Sequence, residues 1–343
     1  MNRILVVQTA WLGDVVLITP LLREIRNVKP RAHITVLTTP LGAETLTGFP
    51  YVDEIVAFDK RGKERGVAGT WRVAARLRRA RFDLAVAAQR SFRTGFLVRA
   101  SGASERIGFE GARGAWAYTR RVPWVAEHHA VRRYLALVGP IGGSCERADP
   151  RPELVVRDEA RGSVARLLAS AGVTSGEPIL ALAPGSIWGT KCWMPEGFAE
   201  VACVARERGL RPVLIGSPAE RELCEKVASL AGEGAVVLAG STSIPEMTAL
   251  LAMSRALVTN DSGPGHVASA VGTPVVAVFG PTVPAFGYVP VGHANRIVER
   301  EGLPCRPCHH HGPEVCPLGH HRCMREIGAE RVIAALDEVL AGR

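Results

Sequence analysis

The chain has 343 residues, more than a single hydrophobic core usually holds, so we expect about two domains. Hydrophobic residues make up 47% and charged residues 22%, and no apolar run approaches the ~20 residues of a membrane-spanning helix. The first residues, "MNRILVVQTAW", lead straight into a strand-like run without the features of a cleavable signal peptide. The sequence therefore predicts a cytoplasmic globular protein and argues against an integral membrane protein.

The net charge of +9 is spread unevenly along the chain. Residues 1–150 contain 24 Lys and Arg against 13 Asp and Glu, a balance of +11, whereas the remainder contains 18 against 20. This asymmetry favours an anionic partner: a phosphorylated lipid or glycan, an anionic membrane surface, or nucleic acid. The alternative is that the arginines only keep helix faces solvated, as in proteins of GC-rich genomes.

Apolar runs rich in β-branched residues alternate with segments of helical spacing. Such runs are typical of buried parallel strands, and repeated βα units predict an α/β fold with doubly wound sheets. Glycine, proline and charge crowd into residues 138–156, where we place a linker between domains 1–150 and 151–343. We expect the domains to face each other across a cleft at the strand ends, and the last helix, 328–343, can return to the N-terminal domain. The predicted strands are 3–8, 33–38, 54–58, 82–88, 178–184, 212–217, 235–240, 256–260 and 274–280.

The first strand-to-helix junction is "QTAWLGDVVLITP", residues 8–20. Gly13 allows a tight turn there, and we expect Asp14 to begin the helix. Because Asp is among the best N-cap residues, a purely capping role for Asp14 is the alternative. The junction lacks the GxGxxG pattern, which argues against an NAD-binding oxidoreductase.

A second junction, "APGSIWGTKCWMPEGF" (183–198), combines glycines, hydroxyls and a lysine. Ser186, Thr190 and Lys191 are suited to a phosphate site, because a helix is predicted to begin close by, near Pro195. The GKS/T order of a Walker A loop is absent. An ordinary polar loop is the alternative.

Two further helix starts permit two interpretations each. Ser217 could reach a nucleotide, but it has Glu220 three residues on and equally forms a capping box. Met247 could line a base pocket, although a methionine on a helix is more often part of a core.

The last junction lies in "TNDSGPGHVASAVGTPVVAVFGPT", residues 259–282. Asp261, Ser262 and Gly263 begin a predicted helix whose first turns carry His266. A helix N-terminus with a hydroxyl and an imidazole suits a sugar diphosphate. Asp261 would repel phosphate and is better suited to accept hydrogen bonds from sugar hydroxyls.

Three motifs, "QTAWLGDVVLITPLL", "PGSxWxTKxW" and "NDSGPGHVASAVGTPVVAVFGPT", together resemble the ADP-heptose:lipopolysaccharide heptosyltransferases of glycosyltransferase family 9. The tail "CRPC…CPLGHHRCM" is more similar to the heptosyltransferase II branch. The resemblance implies a GT-B fold of two facing doubly wound Rossmann-like domains. It also implies inverting, metal-independent transfer of heptose from an ADP-sugar, bound by the C-terminal domain, to a phosphorylated, Kdo-containing lipid A core, bound by the N-terminal domain.

The resemblance assigns a role to each matching residue. Asp14 corresponds to the catalytic base, and no D-x-D pair is present to hold a metal, so protein cations and helix dipoles would stabilise the leaving diphosphate. We assign the acceptor contacts to Gly13, Arg61, Lys63 and Arg93, the last three from their charge. A peripheral contact with the inner membrane through basic helices fits a lipid acceptor. The predicted donor-binding residues are Ser186, Thr190, Lys191, Ser217, Met247, Asp261, Ser262, Gly263 and His266.

Four cysteines, Cys305, Cys308, Cys316 and Cys323, cluster near the C-terminus with histidines interleaved. One CxxC with two further cysteines can form a structural zinc site. The alternative is a loop of reduced thiols that packs near the donor site. We assign no metal ligand and no cofactor.

Three other functions stay open. The first is a family 9 transferase for another sugar or acceptor, and the second is a sugar-nucleotide-binding scaffold without activity. The third is a basic binding protein for nucleic acid, against which stand the absence of recognised motifs and the scarcity of aromatic residues among the arginines.

Overall fold

The computed structural model describes residues 2–292 and 294–342. The chain divides into two compact units, with the boundary between Val155 and Val156. This boundary lies inside the predicted linker, five residues after the predicted domain boundary. Over the described residues, no helix combines the length and the apolarity that crossing a bilayer requires.

Over residues 2–155, six parallel strands form one sheet covered by helices. The strands are β1 (Arg3–Gln8), β2 (His33–Thr38), β3 (Glu54–Ala57), β4 (Leu84–Ala87), β5 (Glu105–Phe109) and β6 (Arg120–Val122). The helices are α1 (Leu12–Leu17), α2 (Thr19–Val28), α3 (Pro40–Thr45), α4 (Gly66–Arg79), α5 (Phe92–Ala100) and α6 (Ala130–Leu135), with 3₁₀ turns at Ala115–Ala117 and Ala136–Ile141. The strand order is β3-β2-β1-β4-β5-β6.

Over residues 156–292 and 294–342, a second sheet has the same plan. Its strands are β7 (Ile179–Ala183), β8 (Arg211–Leu214), β9 (Val236–Val237), β10 (Ala256–Asn260), β11 (Val275–Phe279) and β12 (Arg296–Glu299). Its helices are α7 (Asp158–Ser170), α8 (Pro195–Glu207), α9 (Arg221–Ala231), α10 (Ile244–Met253), α11 (Gly263–Ala270), α12 (Arg322–Arg325) and α13 (Ala329–Ala341), with 3₁₀ turns at Gly189–Lys191, Pro218–Glu220 and Pro284–Phe286. The strand order is β12-β11-β10-β7-β8-β9.

The central strands are buried on both faces, which explains their near-continuous apolar sequences. Residues 4–7 of β1 and 180–182 of β7 have no exposed surface. In each sheet the first strand lies where the strand order reverses, with β2 and β4 beside β1 and with β8 and β10 beside β7. Ligands of open parallel sheets bind at the carboxyl ends of strands next to such a reversal.

The predicted α/β fold is confirmed, but three strands were missed. These are β5, β6 and β12, whose sequences ERIGF, RRV and RIVE carry charged residues. Strands β6 and β12 form edges of their sheets, where one side faces no neighbouring strand and charge is tolerated. A rule that looks for continuous apolar runs therefore finds the apolar strands, among them the edge strands β3 and β9, and misses the short strands that carry charge.

Helix α13 buries its apolar face within the second unit. Val332, Leu336 and Val339 follow helical spacing and lie in the same core as Trp193 and Phe198. The apolar surface of α13 is thus used inside its own unit. Its return to the N-terminal domain stays a prediction.

Candidate functional site

The chain after β1 enters α1 earlier than the sequence suggested. Helix α1 begins at Leu12, so Gly13 lies in its first turn and Asp14 is its third residue. The prediction that Asp14 begins the helix was wrong by two residues. The N-cap is Trp11, three residues before Asp14, so Asp14 contributes to capping from the third helical position and is not the N-cap itself. The cause is a local hydrogen bond. The Asp14 carboxylate accepts the backbone N–H of Trp11, the residue before the helix, at 3.3 Å, so this N–H has a hydrogen-bond partner.

A tyrosine from a distant helix holds the second oxygen of the same carboxylate. The Tyr134 hydroxyl, on α6, donates to Oδ1 of Asp14 at 2.8 Å, and Tyr134 is 3% exposed. Both carboxylate oxygens therefore have a fixed donor. Tyr134 stands in the apolar run "RRYLALV", 120 residues from Asp14, and no local motif marks it.

A half-buried lysine lies near Asp14. The Lys60 ammonium donates to the backbone carbonyl of Thr9, just before α1. Burial lowers the pKa of Lys60, the charges of Arg93 and Arg61 lower it further, and the negative charge of Asp14 acts in the opposite direction. Lys60 was not among the predicted site residues, although the basic run "DKRGKER" could have indicated it.

The three charged residues predicted to contact the acceptor lie in different surroundings. The Arg61 guanidinium lies 4.1 Å from the centre of the Trp11 ring, beside the start of α1. Arg93 lies in the first turn of α5 and is exposed. Lys63 is exposed in a turn whose backbone is held by the Asp59 carboxylate. The structure thus brings Arg61 and Arg93 near Asp14 through Lys60 and Trp11, and leaves Lys63 at the surface.

In the second unit, Lys191 and Asp261 form an ion pair. The Lys191 ammonium lies 2.5 Å from Oδ2 of Asp261, and the two side chains are only 11% and 10% exposed. The Thr282 hydroxyl donates to the same oxygen at 2.7 Å. The loop after β7, the end of β10 and the end of β11 therefore meet at one carboxylate.

Asn260 joins two of these strand ends. Its side-chain amide donates to the Pro184 carbonyl at 2.7 Å, and its Oδ1 accepts the backbone N–H of Trp193 at 3.0 Å. Asn260 has no exposed surface, so these bonds fix the 184–193 loop against β10. The sequence did not predict this role of Asn260, because its two partners lie 76 and 67 residues away along the chain.

The cysteine segment, residues 305–323, packs on the 186–191 loop. The Thr190 hydroxyl donates to the Pro313 carbonyl, and Nε2 of His321 lies 2.8 Å from the Thr190 carbonyl oxygen. The rings of Trp188 and His311 are stacked, with centres 6.4 Å apart. The segment thus supports the loop that carries Lys191.

The cysteines themselves are free thiols. Burial raises the pKa of Cys323 to about 11 and raises that of Cys308 as well, which favours the neutral thiol in both. Among the residues that the structure describes, no group of three or more His, Cys, Asp or Glu side chains is arranged to hold a metal ion. Zinc binding by this segment was left open by the sequence, and no metal ligand is assigned.

The remaining predicted donor residues lie on the expected elements. Ser217 and Glu220 form the capping box, and Met247 is 7% exposed within the core. Ser262 precedes α11, its hydroxyl lies 3.1 Å from that of Thr259, and α11 begins at Gly263 as predicted. Two more residues are brought to the same strand ends: Ser186, whose hydroxyl accepts the Trp188 N–H, and His266, buried in α11.

The chain has two doubly wound parallel sheets with polar side chains at the carboxyl ends of their central strands, the plan of GT-B glycosyltransferases. The solved structure of Escherichia coli ADP-heptose lipopolysaccharide heptosyltransferase II matches this chain with a TM-score of 0.81 and 25% identity, over 100% of this chain and 99% of that one. The match confirms the predicted fold class.

Sequence comparisons identify the family within that class. The pattern of glycosyltransferase family 9 (heptosyltransferase) matches residues 70–317, and the chain belongs to that family. Lipopolysaccharide heptosyltransferase 2 of Salmonella typhimurium is 27% identical over 99% of both chains. Lipopolysaccharide heptosyltransferase 1 of Pseudomonas aeruginosa is 31% identical over 89% of this chain and 86% of its own.

Proposed function

We propose that this enzyme transfers heptose from ADP-heptose to the inner core of lipopolysaccharide, as a heptosyltransferase II. The observation that carries the proposal is the ion pair of Lys191 with Asp261 beside the start of α11. It provides a cation for a diphosphate and a carboxylate for sugar hydroxyls at one set of strand ends. The names of the relatives, which cover nearly the whole chain, support the same donor.

The donor is held by the second unit in this proposal. Lys191 contacts the diphosphate, and the backbone N–H groups at the start of α11 contribute the positive end of the helix dipole. As the bond between the anomeric carbon and the diphosphate breaks, these groups stabilise the charge that develops on the leaving ADP. No bound metal is needed for that step, and Asp261 orients the heptose through its hydroxyls.

The acceptor reacts at Asp14. An acceptor hydroxyl attacks the anomeric carbon while its proton passes to the Asp14 carboxylate, and ADP leaves with the bonding electrons. A single displacement of this kind inverts the anomeric configuration. Trp11 and Tyr134 fix the carboxylate, and Lys60 with Arg61 supplies positive charge for a phosphorylated Kdo-lipid A core.

A peripheral contact with the inner face of the cytoplasmic membrane belongs to the same proposal. The acceptor is a lipid, and the excess of +11 in residues 1–150 suits an anionic surface. The second candidate is transfer of the first heptose, as by a heptosyltransferase I, which the 31% identity with the Pseudomonas enzyme favours. The two candidates share the donor and differ in the acceptor.

Calorimetry with ADP, UDP, GDP and NAD⁺ tests the donor assignment. We expect ADP to bind most tightly and the Lys191→Ala variant to bind it more weakly. Lys226→Ala is the matched control, because Lys226 forms an exposed pair with Glu196. A preference for UDP or GDP would contradict the ADP-sugar assignment.

Turnover of ADP-heptose then separates the two candidates. Kdo-lipid A that carries one heptose is the acceptor of a heptosyltransferase II, and Kdo-lipid A without heptose is that of a heptosyltransferase I. We expect transfer to the first. Transfer only to the second would overturn the heptosyltransferase II assignment and leave the donor site intact.

A further inference from the structure

Large aromatic side chains form two contacting pairs on neighbouring elements of the first unit. Trp71 on α4 contacts Phe96 on α5 with ring centres 5.1 Å apart, and Phe92, one helical turn before Phe96, contacts Trp116 at 5.7 Å. Trp71 is 58% exposed, Phe92 60% and Trp116 52%. Single exposed apolar side chains are ordinary, but two aromatic pairs one helical turn apart on α5 mark an interaction surface. We call these four residues the aromatic strip.

Two glycines allow the second aromatic pair to form. A Cβ atom on Gly95 of α5 would lie 2.5 Å from Cα of Gly114, and one on Gly114 would lie 2.8 Å from Cα of Gly95. The backbones of α5 and of the loop before Trp116 are therefore closer than any larger residue allows. This close approach brings Trp116 beside Phe92.

The strip lies among basic residues. Residues 60–81, which contain α4, carry nine Lys and Arg against one Glu, and residues 90–100, which contain α5, carry three Arg and no acid. Arg72 and Arg93, next in sequence to Trp71 and Phe92, are both exposed. Tryptophan and phenylalanine favour the boundary between water and acyl chains, and arginines attract anionic headgroups.

The strip also lies at the edge of the sheet that carries Asp14. The helices α4 and α5 and the loop with Trp116 follow β3, β4 and β5, and Asp14 follows β1. All these strands are parallel, so their carboxyl ends share one edge.

We propose that the aromatic strip and its arginines dock this enzyme on an anionic lipid bilayer. Docking there holds the edge with Asp14 close to the membrane, where a lipid-linked acceptor lies. The proposal extends the peripheral membrane contact of the proposed function and names the surface that makes it. A second copy of the chain is a less suitable partner for the strip, because contact between two such surfaces would bring their positive charges together.

Flotation with vesicles tests the proposal without donor or acceptor. The vesicles contain phosphatidylcholine alone, or phosphatidylcholine with about 30% phosphatidylglycerol as the anionic lipid. We expect the protein to bind the anionic vesicles, to release at high salt, and to bind neutral vesicles weakly. In Trp71→Ser/Trp116→Ser and in Phe92→Ser, vesicle binding should fall about tenfold or more. Leu230→Ser is the matched control, because Leu230 is 50% exposed on α9 of the other unit, and it should bind as the wild type does.

Three results would overturn the proposal. One is equal vesicle binding by wild type and both variants. Another is a wild-type dimer in light scattering that the variants abolish, since the strip would then be covered by a second copy. The third is loss of transfer to a deacylated, water-soluble acceptor in the variants, which would assign the strip to acceptor binding. Because vesicle binding needs no turnover, it can succeed even where the heptose assignment fails.

Discussion

The ion pair of Lys191 and Asp261 provides the most informative single perturbation, the Lys191→Ala variant. Both side chains are about nine-tenths buried, so the variant leaves a carboxylate in a poorly solvated place. Removing one partner of a buried pair costs about 3–5 kcal/mol. The Thr282 hydroxyl still donates to Asp261, which places the expected loss at the lower end, about 3 kcal/mol.

Two measurable effects follow from this substitution. Thermal unfolding should shift down by roughly 6–12 °C, since a unit of this size loses about 2–4 °C per kcal/mol. The dissociation constant for ADP should rise by about 10–150-fold, because one charge-assisted hydrogen bond to phosphate contributes about 1.5–3 kcal/mol. Differential scanning fluorimetry measures the first effect and calorimetry the second.

The Asp261→Asn variant separates the two effects. It also breaks the pair and lowers stability, but it leaves the Lys191 ammonium free for the phosphate. We therefore expect its affinity for ADP to equal or exceed that of the wild type. Wild-type ADP affinity in Lys191→Ala would refute the reasoning, and so would an equal loss of affinity in both variants, because structural damage would then explain both.

Two further predictions concern the first unit. Tyr134→Phe removes the hydroxyl that holds Asp14, so kcat should fall about 10–100-fold with KM nearly unchanged. Steady-state kinetics measures both constants. An equal change in KM would contradict a positioning role. The hydrogen bond from Arg151 holds the pKa of Asp149 at about 2, below its usual 3.8. The ionised carboxylate therefore stabilises the fold above about pH 4, and this stabilisation is lost as the pH falls towards 2. Asp149 is more than one-third exposed, so Asp149→Asn should lower the free energy of unfolding by less than about 1 kcal/mol near neutral pH. In urea titrations this difference should shrink below about pH 4, and a difference that grows on acidification would contradict it.

The sequence predicted the centre of each sheet because burial on both faces imposes long apolar runs, as in β1 and β7. It did not predict β6 or β12, where an edge position permits charge. The start of α1 was misplaced because it depends on a hydrogen bond that the sequence does not display. The hydrogen bond between Asp14 and the Trp11 N–H depends on the backbone conformation at this turn. The sequence alone is compatible with a helix that begins at Leu12 and with one that begins at Asp14.

The contact between Lys191 and Asp261 was more predictable than the contacts around Asp14. Lys191 and Asp261 stand in short motifs at strand ends, because backbone geometry at those ends is set by neighbouring residues. Tyr134 reaches Asp14 from a helix far along the chain, and Lys60 is one of many basic residues in its region. Contacts of that kind follow from tertiary packing, which a single sequence does not display.

The most direct test of the account is turnover of ADP-heptose by Asp14→Asn with a Kdo-lipid A acceptor. A general base contributes about 10²–10⁴-fold to the rate, so kcat should fall by that factor while ADP affinity stays at the wild-type value. Asp158→Asn, an exposed carboxylate on α7, is the matched control and should transfer heptose normally. Wild-type turnover by Asp14→Asn would contradict the assignment of Asp14 as the base.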